Sequence, residues 1–430
     1  MDHLIKNETV VVISDLHVAD PDIDPNVKKK GLDDFNQDAD FERLLGEVIP
    51  KRAGSPSTLI INGDFIDFIQ ILPSLGRHSA GDRFGVTENE SVLKLQRAFA
   101  GHPRVFDSLA TFLSDGGQVL VMPGNHDIDF HWPQVFEEFR KRLGNVPEPQ
   151  LKFIKEGKIE EHRIYVEHGN QYSFDNRFDS WLNPILDAPD GRRRIERPWG
   201  TLFLDLIYND IKDLYPFSNK VYPHADLAWI ALRSFKDDKN VSAKAIAKLM
   251  IFFSTKGKRF LWERFLGADD NRPVAMEAVW KRMGAVEDDR RAEISAEINA
   301  ITGSQDGVSP VGSATGQSVM LGRTDDWGMG KRRRELLQSG QVDLVVFGHT
   351  HTAVDGNQKP SFGPGDPRRS FNTGSWVPRI PIGEFETPKW RDLETKPGVP
   401  NIHYLLINLT PQPTASLEPL LPPDNTGGPP

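Results

Sequence analysis

The stretch Gln118-Val119-Leu120-Val121-Met122-Pro123-Gly124-Asn125-His126-Asp127 sets a pattern that recurs along the chain. Four apolar residues, Val119 to Met122, have the length and composition of a strand. Their unbroken run suits a strand covered on both faces. Pro123-Gly124 stops it, and an amide, an imidazole and a carboxylate follow at once. Polar groups in that position lie at the carboxyl end of the strand, the edge where open α/β sheets bind ligands.

Four more runs end in the same way. Thr9-Val10-Val11-Val12-Ile13 leads into Ser14-Asp15-Leu16-His17, and Thr58-Leu59-Ile60-Ile61 into Asn62-Gly63-Asp64-Phe65-Ile66-Asp67. Arg163-Ile164-Tyr165-Val166 leads into Glu167-His168-Gly169-Asn170, and Val342 to Phe347 into Gly348-His349-Thr350-His351. Helical spacing of apolar residues lies between several of them, over Ser91 to Leu113 and Gln134 to Leu143. Alternating strand and helix predicts a layered α/β domain.

From about 175 to 335 the pattern changes. Leu202 to Leu214, Val241 to Leu266 and Pro273 to Ile301 read as helices, and no strand-plus-cluster unit occurs. We expect a core over 1–175 and 338–410, a mostly helical insertion or cap over 176–337 with a flexible loop near 303–317, and a loose Pro-rich tail over 411–430. The 181-residue gap between His168 and His349 locates the insertion.

The 430 residues carry 52 Lys plus Arg against 61 Asp plus Glu, a net charge of −9, so general nucleic-acid binding is not expected. Cysteine is absent, which excludes thiolate metal sites and leaves oxygen and imidazole ligands for Mn, Fe, Zn, Mg, Ni or Co. The N-terminal residues lack a signal-peptide apolar core, and no run approaches the roughly 20 apolar residues of a membrane span. A cytoplasmic location is the expectation. Val241 to Leu266 is apolar and basic together, as a membrane-surface helix is, but packing within the cap is the commoner case.

Five of the twelve histidines sit in the five clusters. Carboxylates, imidazoles and one amide form a ligand set for two borderline divalent ions, which a carboxylate can bridge at about 3.5–4 Å. Each cluster alone has a plainer reading. Asp64 and Asp67 could cap a helix, Gly124-Asn125 could make a turn, and His168 could be a core histidine. Their succession along the chain argues against five coincidences.

In this order, D-x-H, G-D-x-x-D, G-N-H-D, H and G-H-x-H resemble the calcineurin-like metallophosphoesterases. The resemblance implies a four-layer fold, a two-sheet β-sandwich flanked by helices. It implies a metal-dependent phosphoric ester hydrolase acting on a small-molecule phosphate ester, with a hydroxide between two ions as nucleophile. One ion takes Asp15, His17, Asp64 and His351; the other takes Asp64, Asn125, His168 and His349. His126 faces the phosphoryl oxygen or leaving group, and Asp67 orients it. The stretch His168 to Asn176 is similar to the branch hydrolysing UDP-diacylglucosamine, but that branch has Arg where His126 stands, so the wider phosphodiesterase and phosphatase set fits better.

A phosphodiester or pyrophosphate-linked small molecule is the favoured substrate. A DNA nuclease of the same superfamily and a non-catalytic metal-binding scaffold stand as alternatives. The runs Arg192-Arg193-Arg194 and Lys331-Arg332-Arg333-Arg334 are expected to be solvated faces rather than grips for an anion. Asn372-Thr373-Gly374-Ser375-Trp376 is expected to be a turn between late strands. Oligomeric state is not legible.

Overall fold

The computed structural model describes residues 3–21, 32–53, 56–71, 83–173, 176–205, 209, 323–358, 365–378 and 398–420. The chain divides into two compact units. One comprises Met1–Asp213, Trp327–Arg379 and Gly398–Pro430; the other comprises Leu214–Asp326 and Ile380–Pro397. The second lies almost wholly outside the described residues, as do the helical readings over 241–301 and the loop near 303–317. Among the described residues no helix is long and apolar enough to cross a membrane.

In the first unit β1 (Thr9–Ile13), β2 (Thr58–Asn62), β3 (Gln118–Met122) and β4 (Leu151–Phe153) run parallel. Antiparallel β12 (His403–Asn408) and β13 (Thr414–Pro419) extend the sheet, giving the order β13-β12-β1-β2-β3-β4. A second sheet has the order β10-β11-β9-β6-β5, from β5 (Lys158–Glu161), β6 (Ile164–Glu167), β9 (Leu344–Phe347), β10 (Ala353–Val354) and β11 (Arg369–Thr373). β7 (Ile185–Asp187) and β8 (Arg193–Ile195) form a separate hairpin.

The central strands are apolar throughout because both faces are covered. Val10, Val12, Ile60, Leu120 and Met122 pack with Ile164, Val166, Leu344 and Val346 of the second sheet. The alternate residues Val11, Ile13, Leu59, Ile61, Val119 and Val121 pack with residues of α1 (Asp38–Arg43), α2 (Ile49–Ala53), α3 (Glu88–Gly101), α4 (Pro103–Ser114) and α5 (Pro133–Arg142). On the far side Tyr165, Val345 and Phe347 meet Met329, Leu336 and Leu337 of α7 (Arg323–Gln338). A short α6 spans Trp199–Phe203. Helix, sheet, sheet and helix make the four layers expected of the fold.

Three local expectations need correction. Within the expected tail, β13 (Thr414–Pro419) pairs with β12 over its whole length. Phe178 and Ile195, expected in the insertion, are buried in the same cluster as Leu59. The pattern over Ser91 to Leu113 is two helices, because Pro103 lacks an N–H and disfavours the α region at His102, which takes φ −125° and ψ 55°. A Thr87–Glu90 capping box starts the first helix.

His102 at that break is buried between two carboxylates, Nδ1 3.0 Å from Asp38 and Nε2 2.9 Å from Asp33. Burial lowers its pKa, but the two carboxylates outweigh burial and raise it to about 9. A folded pKa above the unfolded value of about 6.5 means stability that is complete below that pH and lost as pH rises toward 9. His102→Ala is expected to cost roughly 3–5 kcal/mol below neutrality, with the difference from the parent shrinking between those pH values. Urea melts across that range measure it.

Candidate metal centre

Every cluster sits on a loop leaving a strand, and the loops are stitched to one another. Asp15 N–H donates to the Gly63 carbonyl at 3.1 Å and His17 N–H to the Asp64 carbonyl at 2.9 Å. Gly348 N–H donates to the His168 carbonyl at 2.9 Å. His349 N–H lies 3.1 Å from both carboxylate oxygens of Asp15. The first, second, fourth and fifth clusters are thereby fixed relative to each other before any side chain acts.

The backbone is strained where it delivers these side chains. Of the eight described non-glycine residues at positive φ, five are Asp15 (55°), His17 (54°), Asp64 (53°), His349 (66°) and His351 (54°). The left-handed region costs about 1–2 kcal/mol for a residue with a Cβ. Strain of this kind concentrates at functional sites, where surrounding structure over-determines it.

The side chains converge as two groups. Asp15, His17, Asp64 and His351 offer ligand atoms within 4.8 Å of one another, and so do Asp64, His168 and His349. Asp64 belongs to both. Its Oδ2 lies 3.7 Å from His17 Nε2 and 3.2 Å from His168 Nε2. Its Oδ1 is turned away and accepts the His126 N–H at 2.8 Å. His351 Nε2 stands 3.3 Å from Asp15 Oδ1 and 3.0 Å from His17 Nε2.

The ring nitrogens are oriented from behind. His168 Nδ1 lies 2.8 Å from the Asn62 carbonyl, which turns Nε2 toward Asp64. His17 Nδ1 lies 3.1 Å from Asp67 Oδ2. Asp67 also holds His126, its Oδ1 2.9 Å from Nδ1. One carboxylate therefore stands against two histidines, one in the cage and one beside it. Gln70 supports it in turn, donating Nε2–H to Asp67 Oδ2 at 2.7 Å.

The electrostatics suit cations. Burial opposes ionisation of Asp15 and Asp64, but facing histidines hold both below the usual carboxylate range, Asp64 well below. Burial opposes a charge on His168 too, yet Asp64 and Asp15 raise it to about 10. Protons here do what divalent ions do better: they neutralise converging carboxylates in a dry cage. A further observation fits an ion. Asn125 is buried at 4% exposure, and its Oδ1 has no hydrogen-bond partner. Such an oxygen is costly unless something electropositive meets it. The residues present thus fit divalent metal binding.

Several residues to which the sequence reading gave no role in the site support it. Asp127 accepts the N–H groups of Gly124 at 2.6 Å and Phe65 at 2.7 Å, tying two ligand loops together; burial raises its pKa to about 7. Asn372 to Trp376 is no plain turn. Asn372 donates to the Gly348 carbonyl at 2.7 Å, while Ser375 Oγ and Trp376 N–H reach the Asp15 carbonyl at 2.9 and 3.0 Å. Lys94 is buried in α3 and donates to the Phe68 carbonyl at 2.8 Å, pinning the loop after Asp67. Lys94, Phe68, Ile128, Asp129 and Arg197 line a small cleft that also borders Asn125.

The basic runs are not simple solvated faces. Arg194 is buried and bonds Asp190 at 2.8 Å and the Gly85 carbonyl at 2.9 Å. Arg193 lies over the Trp132 ring at 5.6 Å, and Arg332 over Tyr165 at 5.5 Å. His131 Nδ1 lies 3.0 Å from the Ile128 carbonyl.

Two glycines are required by close approach. Gly63 has φ +80°, and a Cβ there would stand 2.5 Å from the His168 ring. A Cβ on Gly124 would stand 2.2 Å from Asp64 Oδ1 and 2.6 Å from Asp64 N. Gly124→Ala is expected to cost about 1–3 kcal/mol by overpacking and to weaken metal binding about 10–100-fold by displacing Asp64. Gly46→Ala, with nothing within 4 Å of the added carbon, should do neither. Thermal melts and metal-binding isotherms of the two variants make the comparison.

Residues 8–213 match the family model described as calcineurin-like phosphoesterase. No curated protein matches the chain.

Proposed function

Because residues 8–213 belong to the calcineurin-like phosphoesterases, which are metal-dependent phosphoric ester hydrolases, we propose that this chain hydrolyses a phosphodiester or pyrophosphate-linked small molecule with two divalent ions. Asp15, His17, Asp64 and His351 would hold one ion. Asp64, Asn125, His168 and His349 would hold the other. The observation that carries this reading is the shared position of Asp64, whose Oδ2 faces His17 at 3.7 Å and His168 at 3.2 Å. Such ions, when bound, activate water near neutral pH and neutralise phosphoryl oxygens. Mn, Fe, Zn, Ni and Co all suit the ligand set.

The chain's own residues supply the rest. His126 is not a ligand in this scheme. Asp67 fixes its tautomer through the 2.9 Å contact at Nδ1, so Nε2 can carry a proton to the departing oxygen. The buried loop walls hold that imidazole still.

Metal analysis of purified protein beside a panel of phosphomonoesters, diesters and nucleotide-sugar pyrophosphates tests the proposal. Two ions per chain and turnover of diesters or pyrophosphates are expected. A metal-loaded protein inert toward every ester on the panel would overturn it. Single-stranded DNA cleaved faster than any small diester would favour a nuclease.

A further inference from the structure

A further cluster of ligating side chains lies away from the strand ends that carry the candidate metal centre. His3, Glu161 and His162 place their donor atoms within 4.8 Å of one another. His162 precedes β6 and His168 follows it, so about 20 Å of extended chain separates them at ~3.3 Å per residue.

The local structure explains how the three meet. β5 and β6 form a hairpin closed by His162 and Arg163, both at positive φ, 50° and 61°. That two-residue turn normally favours Asn or Gly. Glu161 ends β5 and accepts the N–H groups of Leu4, at 3.0 Å, and Ile5. The N-terminal segment is thus pinned to the hairpin, and His3 is delivered beside His162. Their rings lie 4.5 Å apart, tilted by 34°. His3 Nδ1 is 3.8 Å from Glu161 Oε2, and His162 Nε2 is 4.0 Å from Glu161 Oε1.

Ion pairing alone does not account for this arrangement. Those separations are long for a hydrogen bond. The His3 side chain is 62% exposed, where an ion pair contributes little. His162 Nε2 is buried without a hydrogen-bond partner. Two imidazoles and a carboxylate are the donor set that zinc, cobalt, nickel and copper take, usually with a fourth position open. Ligand bonds of about 2.0–2.2 Å in tetrahedral geometry place donors roughly 3.3 Å apart, against separations of at most 4.8 Å among the three donors here.

We propose that His3, Glu161 and His162 form a further transition-metal site, separate from the phosphoesterase centre, that staples the N-terminal segment to the β5–β6 hairpin. Its role is structural. The bound ion ties the residues leading into β1 of the first sheet to the hairpin at the edge of the second.

The test uses the untagged full-length protein with zinc alone as the probe. His3→Ala and His162→Ala are each expected to lose one zinc equivalent relative to the parent, while Asp64→Ala keeps that equivalent. With zinc at about 100 times its Kd, exchange of the Leu4 and Ile5 amides with deuterium should slow about 100-fold in the parent and not in His3→Ala. His3 is exposed, so its replacement leaves the fold intact. Equal zinc content in the parent, His3→Ala and His162→Ala would overturn the proposal whatever the phosphoesterase centre does.

Discussion

Asp64→Ala is expected to lose metal from both halves of the centre and to lower turnover by at least about 10³-fold. The argument begins from its two oxygens. Oδ1 is spent on the His126 N–H at 2.8 Å, so Oδ2 is the atom turned to the cage, where it meets a histidine of each group. Among the described residues no other side chain belongs to both the Asp15 and the His168–His349 groups. Removing it takes one anionic ligand from each ion at once. A loss of several kcal/mol of transition-state stabilisation corresponds to three or more powers of ten in rate. Asp64→Asn separates charge from shape: its carbonyl can still accept from His126 N–H, but the bridging charge is gone. Metal content by elemental analysis, with kcat on a diester, measures both variants. The alanine variant retaining one full ion would show that the groups bind independently and that Asp64 is no bridge.

The same residues show how much of the centre was legible in the sequence. A strand buried on both faces is a continuous apolar run, and a loop at its end is polar, so Val10–Ile13 with Asp15 and His17, or Val119–Met122 with Asn125, announce themselves locally. A layered α/β domain followed from the alternation of strand and helix, and four layers from the resemblance; in the structure Val10 and Val12 face one layer while Val11 and Ile13 face the other. Contacts made across long sequence separation were not legible. Asn372, Ser375 and Trp376 read as a turn, and only in space do they brace Gly348 and Asp15. Thr414–Pro419 alternates polar residues with Ala415 and Leu417, which pack on the core, but it lies in a Pro-rich stretch at a sheet edge, and only its pairing with β12 identifies it as a strand. Asp67 was legible as a partner of His126 but not of His17, because sequence order does not reveal that one carboxylate reaches two rings.

That double role shapes the second large effect. His126→Ala is expected to leave metal content near normal and to slow esters with poor leaving groups by about 10²–10⁴-fold, the range of a lost general acid. Esters with good leaving groups need no proton and should slow little. The expectation rests on placement: His126 contributes its backbone N–H to Asp64 and its ring to Asp67, and neither contact supplies a ligand atom to the two groups around Asp64. The backbone bond survives substitution, so the cage keeps its brace. Asp67→Asn should behave differently. It disturbs His126 and also the His17 ring, 3.1 Å from Oδ2, and so should lower metal affinity as well as rate. Rates against leaving-group pKa for the parent and both variants, with metal content measured on the same samples, distinguish the two residues. A steeper leaving-group dependence with full metal in His126→Ala, and the same dependence with reduced metal in Asp67→Asn, is the expected pair of results. Equal metal loss in both would mean that His126 acts as a ligand and that the proton comes from elsewhere.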